Sequence, residues 1–292
     1  MPRSSSSKAA PHSADGDAQE PQKLAGGVLS LRRGLQLLEL LSEGDNPWSL
    51  ADLSRRLGVN KAIVLRLIDE LRTAAFVYRD EDTGTYQLTY KLSNLGLRKL
   101  SQTRVLDQSN GVLRELADAT GELVRLAVVE PGDRLTWVLA FTGARRSLHI
   151  DPNYRLDIGF NTHAAGKAWL STMPLQKVWE ILPREGLTRL TAHSKTESKD
   201  IEADWKRART RKYAASNEEN ELGVRAIAAP IMVDLASGER TCVGVVSVAA
   251  PTSRMSQREI EALAPLLLSA VEKLSQMWPI GGRTFKVMPS IG

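Results

Sequence analysis

Over residues 49–90 the chain reads SLADLSRRLGVNKAIVLRLIDELRTAAFVYRDEDTGTYQLTY, and few folds accommodate that succession. Ser49 stands three residues before Asp52, the spacing of a capping-box-like pair, and Leu50, Leu53 and Leu57 follow at helical intervals. Gly58 supplies the left-handed backbone that a sharp exit requires. Asn60 then offers a second N-cap, and Val64, Leu67, Ile68 and Leu71 form an apolar stripe on a helix predicted over about 61–74. The opposite face carries Lys61, Ala62, Leu65, Arg66 and Asp69. At about 1.5 Å per residue this helix is roughly 20 Å long, enough to lie across a DNA major groove. Two aromatic and β-branched runs, 76–78 and 86–88, flank a polar turn containing Gly84, which completes a hairpin. Two helices followed by such a wing predict a winged helix-turn-helix.

Upstream, Leu31, Leu35, Leu38 and Leu41 repeat at helical spacing behind a candidate cap at Ser30, so a third amphipathic helix packs on the pair until Pro47 and Trp48 break it. Charge is informative only locally. The net charge is +5, and residues 28–99 hold eleven bases against nine acids. Between Arg55 and Arg72, however, five bases face only Asp69 and Glu70, the kind of cluster that neutralises phosphates. The candidate DNA contacts are therefore Arg55, Arg56, Asn60, Lys61, Leu65 and Arg66. Arg66 is the choice for a bidentate guanine contact, against the plainer alternative of a surface pair with Glu70. Lys61 is the choice for a phosphate. Leu65 either touches a thymine methyl or packs against the wing. Arg79 points a base toward a minor groove, but Asp80, Glu81 and Asp82 beside it repel phosphate.

The 292 residues are enough for two domains with cores, and 42% hydrophobic content excludes a wholly disordered chain. No stretch reaches the roughly 18 apolar residues of a membrane span, and the first residues lack a hydrophobic signal core, so the expected address is the cytoplasm. A single cysteine, Cys242, and four scattered histidines give no metal-ligand spacing, so neither a metal nor a cofactor is expected. The expected organisation is a disordered tail over 1–27, the winged domain over 28–92, a helical connector over 93–121, an effector-binding domain over 122–278 and a C-terminal tail over 279–292. Within the fourth segment, strands are predicted at LVRLAVVE, RLTWVLAF, RSLHI, AIAAPIMV and CVGVVSVAA. Helices are predicted over 165–170, 175–182, 201–212 and 257–277, which makes the fold α+β.

Several apparent chemical motifs dissolve on inspection. Gly166-Lys167 lacks the remaining glycine and hydroxyl of a phosphate loop, and Ser247 lacks the second glycine of a nucleophile elbow. Glu218, Glu219 and Glu221 read as a charged loop before the Gly223 turn rather than as paired catalytic acids. His163 has no supporting carboxylate or cysteine and reads as a hydrogen-bonded histidine at a pocket rim. No catalytic residue is assigned, and the tryptophans, Trp169 among them, read as core.

LGVNKAIVLRLIDELRTAAFVYRD with TYQLTYKLSNLG, then HAAGKAWL, KYAASNEENELGVRAIAAPI and VGVVSVAAPTSRMS, resembles the IclR family of bacterial transcriptional regulators over about residues 30–277. That resemblance implies a GAF-like effector-binding domain, operator DNA as partner, a small-molecule effector, and a homodimer or tetramer with no membrane association. It places the effector contacts at Ile150, Ile158, Ala164, Ala165, Ser216, Ala226, Ser247 and Ala249, a set so apolar that an aromatic or largely apolar ligand is expected, with the amides of Ala164 and Ala165 open to an acceptor group. The chain departs from the family where Ala62-Ile63 replaces a Ser-Thr pair, where Ala75 replaces a glycine at the helix exit, and where the histidine of the HATALGKALL-like segment is displaced by two places to His163. An alternative function is an enzyme built on the C-terminal domain with a regulatory N-terminal module; a ligand-independent architectural DNA binder is a third.

Overall fold

The computed structural model describes residues 26–43, 47–103, 105–143, 150 and 158–278. The chain divides into two compact units, residues 1–92 and 93–292, and each is treated by itself.

In the first unit, α1 (Gly26–Leu41), α2 (Leu50–Leu57) and α3 (Lys61–Thr73) surround a core of Leu37, Leu53, Val64, Ile68, Val77 and Tyr86. The expected cap at Ser30 is not one: α1 begins four residues earlier, and Ser30 lies inside it. Ser49 does cap α2, its hydroxyl 3.2 Å from the Asp52 amide and 2.5 Å from the Asp52 carboxylate. Gly58 then leaves α2 at φ 65°. The exit of α3 is less comfortable. Ala75 adopts φ 58° where a glycine would enter the left-handed region without its Cβ penalty. The Thr89 hydroxyl donates to the Ala75 carbonyl at 2.7 Å and Lys91 Nζ donates to the Ala74 carbonyl at 2.6 Å, which hold the turn closed. The wing is β1 (Val77–Arg79) paired antiparallel with β2 (Tyr86–Leu88), and Trp48 bridges onto Tyr86.

The helical stretch after the wing is two helices, α4 (Lys91–Thr103) and α5 (Val105–Thr120). In the second unit β3 (Leu123–Glu130), β4 (Arg134–Thr142), β5 (Ala214–Asn217), β6 (Val224–Asp234) and β7 (Arg240–Pro251) form one antiparallel sheet in the order β4-β3-β7-β6-β5. β5 is a strand that sequence periodicity did not single out, because four residues of AASN carry too short a pattern. The expected strand RSLHI falls almost wholly outside the described residues.

Strand alternation sends side chains to two faces, and both are covered by helices. Val246, Val248 and Ala250 of β7 join Leu113 of α5 together with Ile260 of α9 (Gln257–Ala262) and Leu267 of α10 (Ala264–Met277). The expected single final helix is thus two, because Pro265 has no amide to bond and its ring crowds the preceding turn. The other face packs against α6 (Ala164–Leu170), α7 (Leu175–Glu185) and α8 (Ser198–Arg211), with Trp169, Val178 and Ile181 buried there. Gly166 lets α6 approach the preceding turn: a Cβ there would lie 2.6 Å from Phe160 Cα.

Candidate DNA interface and effector face

The side chain of Asn60 accepts from the Ile63 amide at 2.9 Å, so the residue singled out as a DNA contact is also the N-cap of α3. Val64 and Ile68 turn inward, which leaves Lys61, Ala62, Leu65, Arg66 and Asp69 exposed along the outer face. Lys61 and Arg66 form no ion pair with any described residue, so the alternative pairing of Arg66 with Glu70 is not made. Leu65 is 41% exposed on this face and is not part of the core.

The arginines of α2 are more committed. Arg55 pairs with Asp52 at 3.1 Å, and Arg56 pairs with Glu43 at 2.9 Å while its guanidinium lies 5.9 Å from the centroid of Trp48. Exposed pairs of this kind are weak and exchange readily for a phosphate. At the wing tip the Asp80 carboxylate accepts from the amides of Thr83 and Asp82, which hold its pKa below the ordinary value, and Arg79 pairs with Glu81 at 3.5 Å. The wing therefore presents negative charge.

In the second unit the expected effector positions converge. Ser216, Ala226 and Ala249 are register partners across β5, β6 and β7, and Ser247 lies opposite Ala228. Ala164 and Ala165 of α6 and Ile158 pack against the same face, and all but Ala226 of these are buried. Ile150 is half-buried and its immediate neighbours lie outside the described residues. The Ser216 hydroxyl donates to the Thr162 carbonyl at 2.6 Å, so it is engaged in the fold.

Sequence reasoning missed a cation on this face. Arg125 of β3 is the register partner of Ser247, and its guanidinium stacks 4.2 Å from the centroid of Trp137. An arginine between Val124 and Leu126 in the apolar part of β3 was the signal available. His163 is the buried N-cap of α6, the helix that packs on this face. Burial foremost, and the Arg125 charge after it, press its pKa down to about 4, so the ring is neutral at pH 7. Its Nδ1 accepts from the Gly159 amide at 3.0 Å, which places the ring proton on Nε2.

One member of the expected charged loop is buried. Glu219 is 2% exposed and pairs with Lys167, which is 7% exposed and also donates to Asp204 at 2.8 Å. Burial alone would push the Asp204 carboxyl up, but Lys167 and Lys195 outweigh it and hold its pKa at about 2. Cys242 is chemically quiet, its thiol pushed up to about 12 by burial.

A capped cationic helix beside a wing, and a five-stranded sheet carrying a half-buried arginine among small apolar side chains, define a DNA-binding regulator with a separate ligand-sensing unit. The family described as "Bacterial transcriptional regulator IclR C-terminal" matches residues 97–276, and the "IclR helix-turn-helix domain" matches residues 30–81. The chain belongs to the IclR family. It is 25% identical to the acetate operon repressor of Salmonella typhimurium over 252 residues, covering 86% of this chain and 90% of that protein. An IclR transcriptional regulator from Silicibacter superposes with a TM-score of 0.68 at 30% identity, covering 89% of this chain and 100% of that one. An IclR homolog from Microbacterium hydrocarbonoxydans, solved with 4-hydroxybenzoate, superposes with a TM-score of 0.68 at 18% identity over 86% of this chain and all of that one.

Proposed function

We propose that the chain reads a near-palindromic operator as a dimer or tetramer in the cytoplasm and that a small aromatic or largely apolar molecule alters that reading. The observation that carries the DNA half is the outer face of α3, where Lys61 and Arg66 are exposed and unpaired among the described residues while Val64 and Ile68 anchor the opposite face. Neutralising phosphate with Lys61 and reading a base with Arg66 divides affinity from specificity. Exposed leucines favour self-association. Leu31 and Leu35 are 65% and 53% exposed on α1, and Leu95 and Leu97 are exposed on α4. Apolar side chains at helical spacing on a connector suit a two-fold interface.

The effector face supports an aromatic ligand with an acidic group. Small side chains at Ala164, Ala165, Ala226 and Ala249 suit a flat apolar body, and Arg125, stacked on Trp137, offers a carboxylate a charge-assisted bond. The 4-hydroxybenzoate complex of the Microbacterium protein is in keeping with a fold of this kind holding such a molecule. The enzymatic alternative is disfavoured because His163 Nδ1 is occupied by the Gly159 amide and Nε2 carries the proton, which leaves no lone pair for a base. An effector shifts operator binding only by preferring one arrangement of the protein over another.

The test is a gel shift at fixed salt with promoter fragments from the source genome and scrambled controls, with and without aromatic acids chosen by thermal shift. Retardation of a specific fragment, altered by a compound that raises the melting temperature, is expected. Equal retardation of scrambled DNA would refute the operator reading, and recovery of a chemically converted compound would restore the enzymatic one.

A further inference from the structure

The outer face of α3 carries an apolar element that phosphate neutralisation does not use. Among the described residues, Leu65 is the only large apolar side chain of α2 and α3 left exposed, and it stands outside the core that holds Val64 and Ile68. Ala62 lies three positions before it and Arg66 directly after it, and all three are exposed on the same side of the helix.

A leucine facing water is tolerated on any surface, but the place of this one restricts what it meets. The Asn60 side chain caps α3 at the Ile63 amide, so Ala62, Leu65 and Arg66 all fall within the first two turns. Those turns are the part of a recognition helix whose side chains meet base edges. The wing offers no competing reader: Arg79 is paired with Glu81, and the Asp80 carboxylate accepts from the Thr83 and Asp82 amides and keeps its negative charge at the tip. Base discrimination therefore falls to α3.

In the major groove the apolar group that a base pair presents is the 5-methyl of thymine. The small side chain of Ala62 lets the helix approach, and the longer Leu65 then reaches such a methyl. One helical turn of about 5.4 Å spans one to two base pairs at about 3.4 Å each, so Leu65 and Arg66 act on neighbouring pairs. Cytosine in the same place would turn an amino donor toward a side chain that has no acceptor, and that donor would lose its water without gaining a partner.

We propose that Leu65 is a specificity-determining residue that reads the methyl of a thymine within about two base pairs of the guanine bound by Arg66. That role rests on α3 being the helix that reads the operator.

Sequences are selected from a randomised duplex pool with the full-length protein at fixed salt, and each thymine of the enriched duplex is then replaced in turn by deoxyuridine, which removes one methyl at a time. In a gel shift, deoxyuridine at one thymine of each half-site should weaken the parent about fourfold, the contribution of one buried carbon. The same replacement should weaken Leu65→Ala, with its melting temperature unchanged, by under about twofold. Leu65→Met keeps an apolar reach and should retain the sensitivity. Arg66→Ala should lose its preference at a guanine within about two base pairs of that thymine. No enriched sequence from the parent refutes the operator reading itself and the role of Leu65 with it. An enriched sequence whose deoxyuridine forms all bind alike, or weaken parent and L65A equally, overturns the role of Leu65 and leaves the operator reading standing, as does a sensitive thymine remote from that guanine. An L65A variant that changes in melting temperature or oligomeric state but keeps the parent's sequence preference also overturns it, and assigns the leucine to packing against the wing or a second copy of the chain.

Discussion

Lowering the pH from 7.5 to 5 should destabilise the second unit through one residue, His163. Its pKa falls from 6.5 to about 4 because burial and the Arg125 charge disfavour the imidazolium. In that window the unfolded chain binds the proton and the folded one does not, so stability rises with pH and is lost as pH falls from 6.5 toward 4. With those two values, the linkage expression gives a loss of about 2 kcal/mol at pH 5 and almost none at pH 7.5. Asp204 does not interfere. Its depressed pKa contributes stability above 3.8 that is lost only as pH falls from there toward 2. Urea denaturation of the full chain followed by tryptophan fluorescence is the assay, since Trp169 is buried 4.9 Å from Phe160 on α6, whose N-cap is His163. His163→Asn keeps an acceptor for the Gly159 amide and removes the titration. The variant should lose about 2 kcal/mol less than the parent between the two pH values. Parallel losses in parent and variant would refute the assignment of His163 as a buried neutral base pressed by Arg125.

Arg66→Ala should cost about 1–3 kcal/mol of discrimination between operator and single-base mismatches in a competition gel shift, whereas Lys61→Ala should weaken all sequences alike and reduce the salt dependence. Lys167→Met removes the buried cation between Asp204 and Glu219 but leaves them Lys195, and should destabilise by about 1–3 kcal/mol in the same urea titration; no change would mean that Lys195 alone compensates both carboxylates. Ala75→Gly should stabilise the winged unit by about 0.5–1 kcal/mol in thermal unfolding, the relief at φ 58° exceeding the added unfolded-state entropy. Arg125→Gln should weaken aromatic acids at least tenfold in calorimetry while leaving their neutral amides little changed.

The winged unit was almost wholly legible because its determinants are local. Caps at Ser49 and Asn60, a left-handed glycine at 58 and apolar spacing at Val64 and Ile68 act within one or two turns, so they can be read along the chain. One expectation there failed locally, since α1 begins upstream of its expected cap, while the departure at Ala75 is accommodated from a distance, because Thr89 and Lys91, fourteen or more residues away, bond the turn. The strands β3, β6 and β7 were equally visible, because long apolar runs need little context.

What only tertiary structure decided is where charge lies. Arg125 joined the sheet face of the expected effector positions through register with Ser247, and Lys167, Asp204 and Glu219, spread over 52 residues, became one buried cluster through the packing of α6, α8 and the turn after β5. An isolated arginine, lysine or glutamate in a sequence looks solvated because the cost of burying it is so large. Partners that offset this cost come from distant segments, and pairing energy depends on distances of a few ångströms that spacing along a chain does not specify.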